Sequence, residues 1–255
     1  MWTPLLGALI FKWRGPREDL RECVPQRNNI TEEKDNMNIA IDGPAGAGKS
    51  TIAKLVAKEL GFIYVDTGAM YRAIALYFIN NKVDIADMEQ VETALSAIKI
   101  EIKYQDGKQQ VILNDENVTG RLREEAVGNM ASKSSAIPVV REKLLSLQRD
   151  LAVANNVVMD GRDIGTNILP GAELKIYLTA SSAVRAKRRY DELVAAGKSA
   201  DLSQIEADII TRDEQDMSRK TAPLKQAEDA VYLDSSDMDI DMVTGTIIGY
   251  ARERI

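Results

Sequence analysis

Chemistry is most concentrated in one stretch, Gly43-Pro44-Ala45-Gly46-Ala47-Gly48-Lys49-Ser50-Thr51, which fits G-x-x-x-x-G-K-[ST] at every fixed position. Glycines there let the backbone turn consecutive N–H groups inward around phosphate oxygens, and a helix starting directly after adds the positive end of its dipole. Lys49 would reach the β- and γ-phosphates, and the Ser50 hydroxyl would hold Mg²⁺. The flanks agree. Residues 37–41 are an apolar run of strand length, and Ile52, Leu55, Val56 and Leu60 recur at helical spacing. The stretch predicts a nucleoside triphosphate site.

Other candidates are cations and carboxylates. Val157-Val158-Met159-Asp160 reads as a buried strand ending in an acid, the usual position of a second Mg²⁺-organising group beside such a loop. Arg212, Asp216 and Arg219 are spaced i, i+4, i+7, so they share a helix face, and Arg212 can meet Asp216. A solvated ion-pair face has the same spacing, and spacing alone does not separate the two. Arg72 lies off the apolar stripe of its predicted helix, in the first turn, where it can face a site. A single arginine is more often only solvated.

Composition limits the chemistry. The chain has 255 residues, 28% charged and 45% hydrophobic, with a formal net charge of −6. That balance argues against general nucleic-acid or membrane-surface binding, so an anionic ligand must be held by a local cluster of cations. Histidine is absent and Cys23 is the lone cysteine, which excludes histidine catalysis, histidine metal sites, an intrachain disulfide and a cysteine-ligated zinc. No apolar run approaches the length of a membrane span. A reducing, cytoplasmic setting is expected.

The elements that would position these residues alternate strand and helix. Strands are expected at residues 37–41, 62–65, 157–160, 174–178 and 230–233, with helices between them, which predicts a parallel five-stranded sheet flanked by helices and a ligand site at the carboxyl ends of the strands. Gly61 marks the stop of the first helix. Residues 84–120 form an insertion. Met88, Val91, Leu95 and Ile98 suggest a short helix, Ile98, Ile100, Ile102 and Tyr104 alternate as in a half-buried strand, Asp106-Gly107 is a hairpin turn, and residues 114–117 are another turn. Pro138 opens one helix. Ser203-Gln204-Ile205-Glu206 reads as a capping box opening another. Residues 1–36 lack periodicity and are expected to be a disordered, dispensable extension.

Asn81-Lys82-Val83-Asp84 matches the guanine-reading N-K-x-D of GTPases. A switch GTPase also needs D-x-x-G between the phosphate loop and that tetrapeptide, and Asp66-Thr67-Gly68-Ala69 misses it, so the tetrapeptide is read as a helix-ending turn.

Four motifs in order, Ile-Asp-Gly-Pro-Ala-Gly-Ala-Gly-Lys-Ser (41–50), Asp-Thr-Gly-Ala-Met-Tyr-Arg (66–72), Asp-Gly-Arg-Asp-Ile-Gly-Thr (160–166) and Arg-Asp-x-x-Asp-x-x-Arg (212–219), make residues 37–255 resemble bacterial cytidylate kinases. The resemblance implies an α/β P-loop NTPase fold with a small antiparallel insertion (84–120, nucleotide-binding) and a helical lid at about 185–220. It also implies transfer of the γ-phosphoryl of ATP to CMP or dCMP with Mg²⁺, by a monomer in the cytoplasm. By the same resemblance Ser132, Arg141 and Asp163 read cytosine with Thr67 nearby. Arg72, Arg162 and Arg219 clamp the CMP phosphate, Arg212 and Asp216 contact the ribose, and Arg188 and Arg189 belong to the lid over ATP. Thr67 stands where relatives often have serine. The rival readings are a P-loop kinase for another acceptor, such as UMP or shikimate, and a slow GTPase-like switch.

Overall fold

A computed structural model describes Phe11–Lys12 and residues 36–254. The disorder expected for residues 1–36 lies outside the described residues, apart from Asn36 and a two-residue strand, β1 (Phe11–Lys12), which pairs antiparallel with Ile102 and Glu101.

In chain order there follow β2 (Asn38–Asp42), α1 (Lys49–Leu60), β3 (Ile63–Asp66), α2 (Thr67–Asn80), α3 (Met88–Ala97), β4 (Ile100–Gln105), β5 (Lys108–Leu113), β6 (Glu116–Asn117), α4 (Glu125–Ser134), α5 (Pro138–Ala154), β7 (Val157–Gly161), β8 (Leu174–Thr179), α6 (Ser182–Ala195), α7 (Leu202–Ser218), β9 (Val231–Asp234) and α8 (Ile240–Arg252). β2, β3, β7, β8 and β9 form the expected parallel sheet in the order β3-β7-β2-β8-β9, and β1, β4, β5 and β6 form a second, antiparallel sheet.

Strand residues alternate between two apolar layers, as the pleat requires. Ile39 and Ile41 of β2 face Ile52 and Val56 of α1 and Val243 and Ile247 of α8. Ala40, Val157 and Met159 face the opposite layer, with Met70 and Ile74 of α2 and Leu144 and Leu151 of α5. Every side chain in these two lists is buried, so each contributes on the order of 1–3 kcal/mol, the larger aliphatics most. Gly61 takes φ 71° to stop α1, and Asp106 and Gly107 take φ 51° and 70° to turn the β4–β5 hairpin. Asn81 closes α2 as the expected turn, with Val83 N–H bonded to Phe78 C=O at 2.9 Å.

Two local expectations are corrected. α7 begins at Leu202 because Asp201, not Ser203, is the N-cap, its carboxylate accepting from Gln204 N–H at 3.0 Å. An aspartate caps as well as a serine and adds charge at the positive helix end. Glu206 is thereby free to accept from the Ser182 hydroxyl of α6 at 2.8 Å. In the insertion, the turn is only Asn114-Asp115, both at positive φ, and Glu116–Asn117 pair back onto Leu113 and Ile112.

Candidate active site

β2 delivers the phosphate loop to the middle of the sheet edge. Gly43 passes so close to β8 that a Cβ there would sit 1.9 Å from the Leu178 carbonyl oxygen, and its φ is +149°. Gly48, at φ 84°, is the N-cap of α1 and brings no side chain to the helix end. No acid occupies the first turn either; Thr51 N–H is bonded to the Gly48 carbonyl at 3.0 Å, and the leading N–H groups of Lys49 and Ser50 are the ones that face an anion. Lys49 is buried and its Nζ donates to the Pro44 carbonyl at 2.7 Å. Burial, with the Arg162 guanidinium second, holds its ammonium well below the ordinary lysine range.

Ser50 and Asp160 meet at the foot of the loop. The Ser50 hydroxyl donates to Asp160 Oδ2 at 2.7 Å, and the Tyr64 hydroxyl donates to Oδ1 at 2.9 Å. Burial, followed by the neighbouring Asp66 carboxylate, raises the Asp160 pKa. A hydroxyl and a carboxylate side by side are hard oxygen donors of the kind Mg²⁺ takes together with phosphate oxygens. Among the described residues there is no cluster of three or more His, Cys, Asp or Glu that could hold an ion unaided.

A cleft of about 310 Å³ runs from this loop across the carboxyl ends of β3 and β7. Ala45, Gly46, Gly48, Lys49, Ser50 and Thr51 of the loop line it, and so do Ser132, Arg141 and Asp163. Arg72, Arg162, Arg212, Asp216 and Arg219 also line it, with Thr67 and Asp160. Gly43, Pro44 and Ala47, also expected to bind the triphosphate, are not among its lining residues.

The cationic side of the cleft is arranged around Asp216. Arg162 Nε donates to Asp216 Oδ2 at 2.8 Å, and Arg219 Nη1 lies 3.8 Å from Oδ1. The Arg212–Asp216 pairing expected from i, i+4 spacing is displaced, because Arg162 enters from the end of β7 and takes the carboxylate. Burial opposes ionisation of Asp216, but Arg162, then Arg219 and Arg212, outweigh it and hold the carboxyl below its ordinary range. Burial and the crowding of like charges hold Arg212 below its usual value. Arg212 Nε, Arg219 Nη2 and Arg141 Nε are buried without a hydrogen-bond partner among the described residues. Unpaired guanidinium donors in a cleft are what an anionic ligand would satisfy.

Elsewhere in the cleft Arg141 Nη2 pairs with Asp163 Oδ2, and both residues are buried. Asn167 Nδ2 also donates to Asp163 Oδ2, at 3.1 Å. The guanidinium of Arg141 lies 5.5 Å over the ring of Tyr71, whose phenol burial pushes up to about 12. Asp42 at the end of β2 accepts from the N–H groups of Ile164 and Gly165 at 2.8 and 2.7 Å, which fixes the turn that presents Asp163. Burial raises the Asp42 carboxyl to about 6. The Thr67 hydroxyl donates to the Asp160 carbonyl at 2.8 Å.

Arg188 and Arg189, the two arginines expected in a lid, do not line the cleft. Arg188 donates to the Ser235 carbonyl at 2.7 Å, and Arg189 pairs with Glu192 at 3.0 Å on an exposed face. The arginine of α6 that touches the loop is Arg185, which the sequence did not single out. It donates to the Ala45 carbonyl at 2.9 Å and pairs with Asp213 of α7 at 2.6 Å. Tyr71, Asp66 and Arg123 also line the cleft and were missed. For Tyr71 and Asp66, membership of the second quoted motif was the available signal.

A parallel sheet carrying a phosphate loop into an arginine-lined cleft defines a P-loop kinase. The chain belongs to the cytidylate kinase family, whose model matches residues 39–253. It is 50% identical over 214 residues to a cytidylate kinase of Lactiplantibacillus plantarum, covering 84% of this chain and 94% of that protein. With a cytidylate kinase of Caldicellulosiruptor bescii the identity is 49% over 212 residues, 83% of this chain and 94% of the relative. With that of Halalkalibacterium halodurans it is 48% over 219 residues, 86% and 99%.

Proposed function

We propose that this protein transfers the γ-phosphoryl group of ATP to CMP or dCMP, giving ADP and CDP or dCDP. Given the family, the observation that carries the substrate is the buried Arg141–Asp163 pair, which lines the same cleft as Ser132 and the phosphate loop. The exocyclic amine of cytosine is a donor and suits the Asp163 carboxylate. Its O2 and N3 are acceptors and suit Arg141 and Ser132. A base with a carbonyl in place of the amine would leave Asp163 facing another acceptor, which buried polar sites reject strongly.

The acceptor is already an anion, so no strong general base is required. The barrier lies in bringing two polyanions together and in stabilising charge on the moving phosphoryl group. Arg72, Arg162 and Arg219 are assigned to the acceptor phosphate, and Arg212 to the neighbouring sugar. Asp216 holds Arg162 in place. Lys49 and the loop N–H groups hold the ATP phosphates. Mg²⁺, held by the Ser50 hydroxyl and the Asp160 carboxylate, would neutralise charge on the β- and γ-phosphates. The guanidinium groups of Arg188 and Arg189 are engaged elsewhere and stand outside this assignment. Among the described residues no helix is long and apolar enough to cross a membrane.

Asp163→Ala tests the base assignment. The KM for CMP should rise at least ~10-fold, with the KM for ATP changed less than about twofold, since the loss is confined to a charged hydrogen bond on one substrate. Equal losses for both substrates would make Asp163 a structural residue only.

A further inference from the structure

The small antiparallel sheet touches the core sheet at a specific place. Among the described residues β3 is an edge strand that pairs with β7 alone, so its outward N–H and C=O groups need other partners. Side chains of the insertion supply them. Gln109 Oε1 accepts from Asp66 N–H at 2.8 Å, and Gln109 Nε2 donates to the Asp66 carbonyl at 3.1 Å. One amide thereby closes a two-bond ring on one residue's backbone, as a neighbouring strand would. Its orientation follows from the chemistry, since only the carbonyl end can accept and only the NH₂ end can donate. Tyr104, directly opposite Gln109 across the β4–β5 hairpin, donates its hydroxyl to the Tyr64 carbonyl at 3.1 Å. A cross-strand pair thus grips alternate residues of the edge strand.

The gripped residue begins one wall of the cleft. Asp66 caps α2 by accepting from Ala69 N–H at 2.9 Å. Thr67 is the first residue of α2, and Arg72 lies little more than a turn further on; both line the cleft. We propose that Gln109 is a positioning residue for the acceptor nucleotide. Its amide fixes the Asp66 backbone and, through that cap, the turn that brings Thr67 and Arg72 to the cleft, while Tyr104 sets the register of the grip. The inference rests on the reading that CMP binds against this wall.

The test compares wild type with Gln109→Ala and Tyr104→Phe by steady-state kinetics on CMP and ATP, and by hydrogen exchange at residues 66–69. Tyr104→Phe removes one hydroxyl with little change of shape, so it remains informative if Gln109→Ala folds poorly. Gln109→Ala should raise the KM for CMP about tenfold, the worth of two neutral hydrogen bonds. The KM for ATP should stay within about twofold, and the Asp66 amide should exchange faster. Tyr104→Phe should raise the KM for CMP about threefold, one such bond. An unchanged KM for CMP in both variants, or equal rises for CMP and ATP, overturns the positioning role. Unaltered exchange at Asp66 in Gln109→Ala overturns the grip itself. A wild type that does not phosphorylate CMP overturns the substrate reading instead, and the exchange result then still decides whether the grip exists.

Discussion

The Asp216 carboxylate has guanidinium neighbours on two sides, and the nearer comes from another element. Arg162 reaches it from the end of β7 at 2.8 Å, whereas Arg212, one turn earlier on the same helix, leaves its Nε without a partner among the described residues. Spacing along a helix says which side chains can meet, not which competitor will arrive from elsewhere in the fold. With Asp216 holding Arg162 and Arg219, its removal loosens the grip on the acceptor phosphate, which CMP and dCMP share. Asp216→Ala should lower kcat/KM for both substrates by roughly tenfold to a hundredfold, the worth of a hydrogen bond between charged groups. The CMP/dCMP ratio should remain within about twofold of wild type. A loss confined to CMP would return Asp216 to the ribose, since dCMP has no 2′-hydroxyl to lose.

The helix pair α6–α7 is tied to the phosphate loop by Arg185, through the Ala45 carbonyl on one side and Asp213 on the other. Truncating one partner of a buried ion pair leaves the other charge uncompensated, at about 3–5 kcal/mol. Arg185→Met keeps most of the side chain's bulk and should lower Tm by roughly 6–20 °C for a chain of this size. Adding Asp213→Asn should recover part of that loss. A thermal shift below about 2 °C would show that the tie contributes nothing. Arg185 was invisible in the sequence because a buried arginine and a solvated one look alike there, while Arg188 and Arg189 were singled out by the family resemblance alone. The core strands were legible for the opposite reason. Runs such as Val157-Val158-Met159 are buried on both faces of a parallel sheet and leave an unbroken apolar signature. The start of α7 was misread because two capping residues stand two positions apart and Asp201 takes the N–H of Gln204. The grip of Gln109 on β3 had no sequence signal at all, because polar residues at strand positions are ordinary on a small two-sided sheet.

Across the whole molecule, the charge is distributed against the net. The chain carries a formal −6, yet the cleft gathers Lys49, Arg72, Arg141, Arg162, Arg212 and Arg219. This concentration suits a small anionic ligand pair rather than an extended polyanion. The four ordered motifs fall around that cleft, so the site was more legible than any single arginine in it. The family match begins at residue 39, and Met37 already packs in the core; ahead of Met37 the described contacts include the pairing of β1 with β4 and a bond from the Asn36 side chain to the Val153 carbonyl at 2.6 Å. Removing residues 1–35 should leave kcat/KM within about twofold and shift Tm by less than ~5 °C, about 1–2 kcal/mol at this size. A larger thermal loss would show that this segment packs on the core.

The central claim is that the cleft selects cytosine nucleotides as phosphoryl acceptors from ATP. Its most direct test is a coupled ADP-release assay with CMP, dCMP, UMP, AMP and shikimate offered in turn to the full chain with ATP and Mg²⁺. CMP or dCMP should give the highest kcat/KM. UMP should fall at least ~100-fold below it, because its O4 meets the Asp163 carboxylate without a donor. Turnover of UMP or shikimate equal to or above that of CMP, or no acceptor-dependent ADP release with any cytosine nucleotide, would contradict the account.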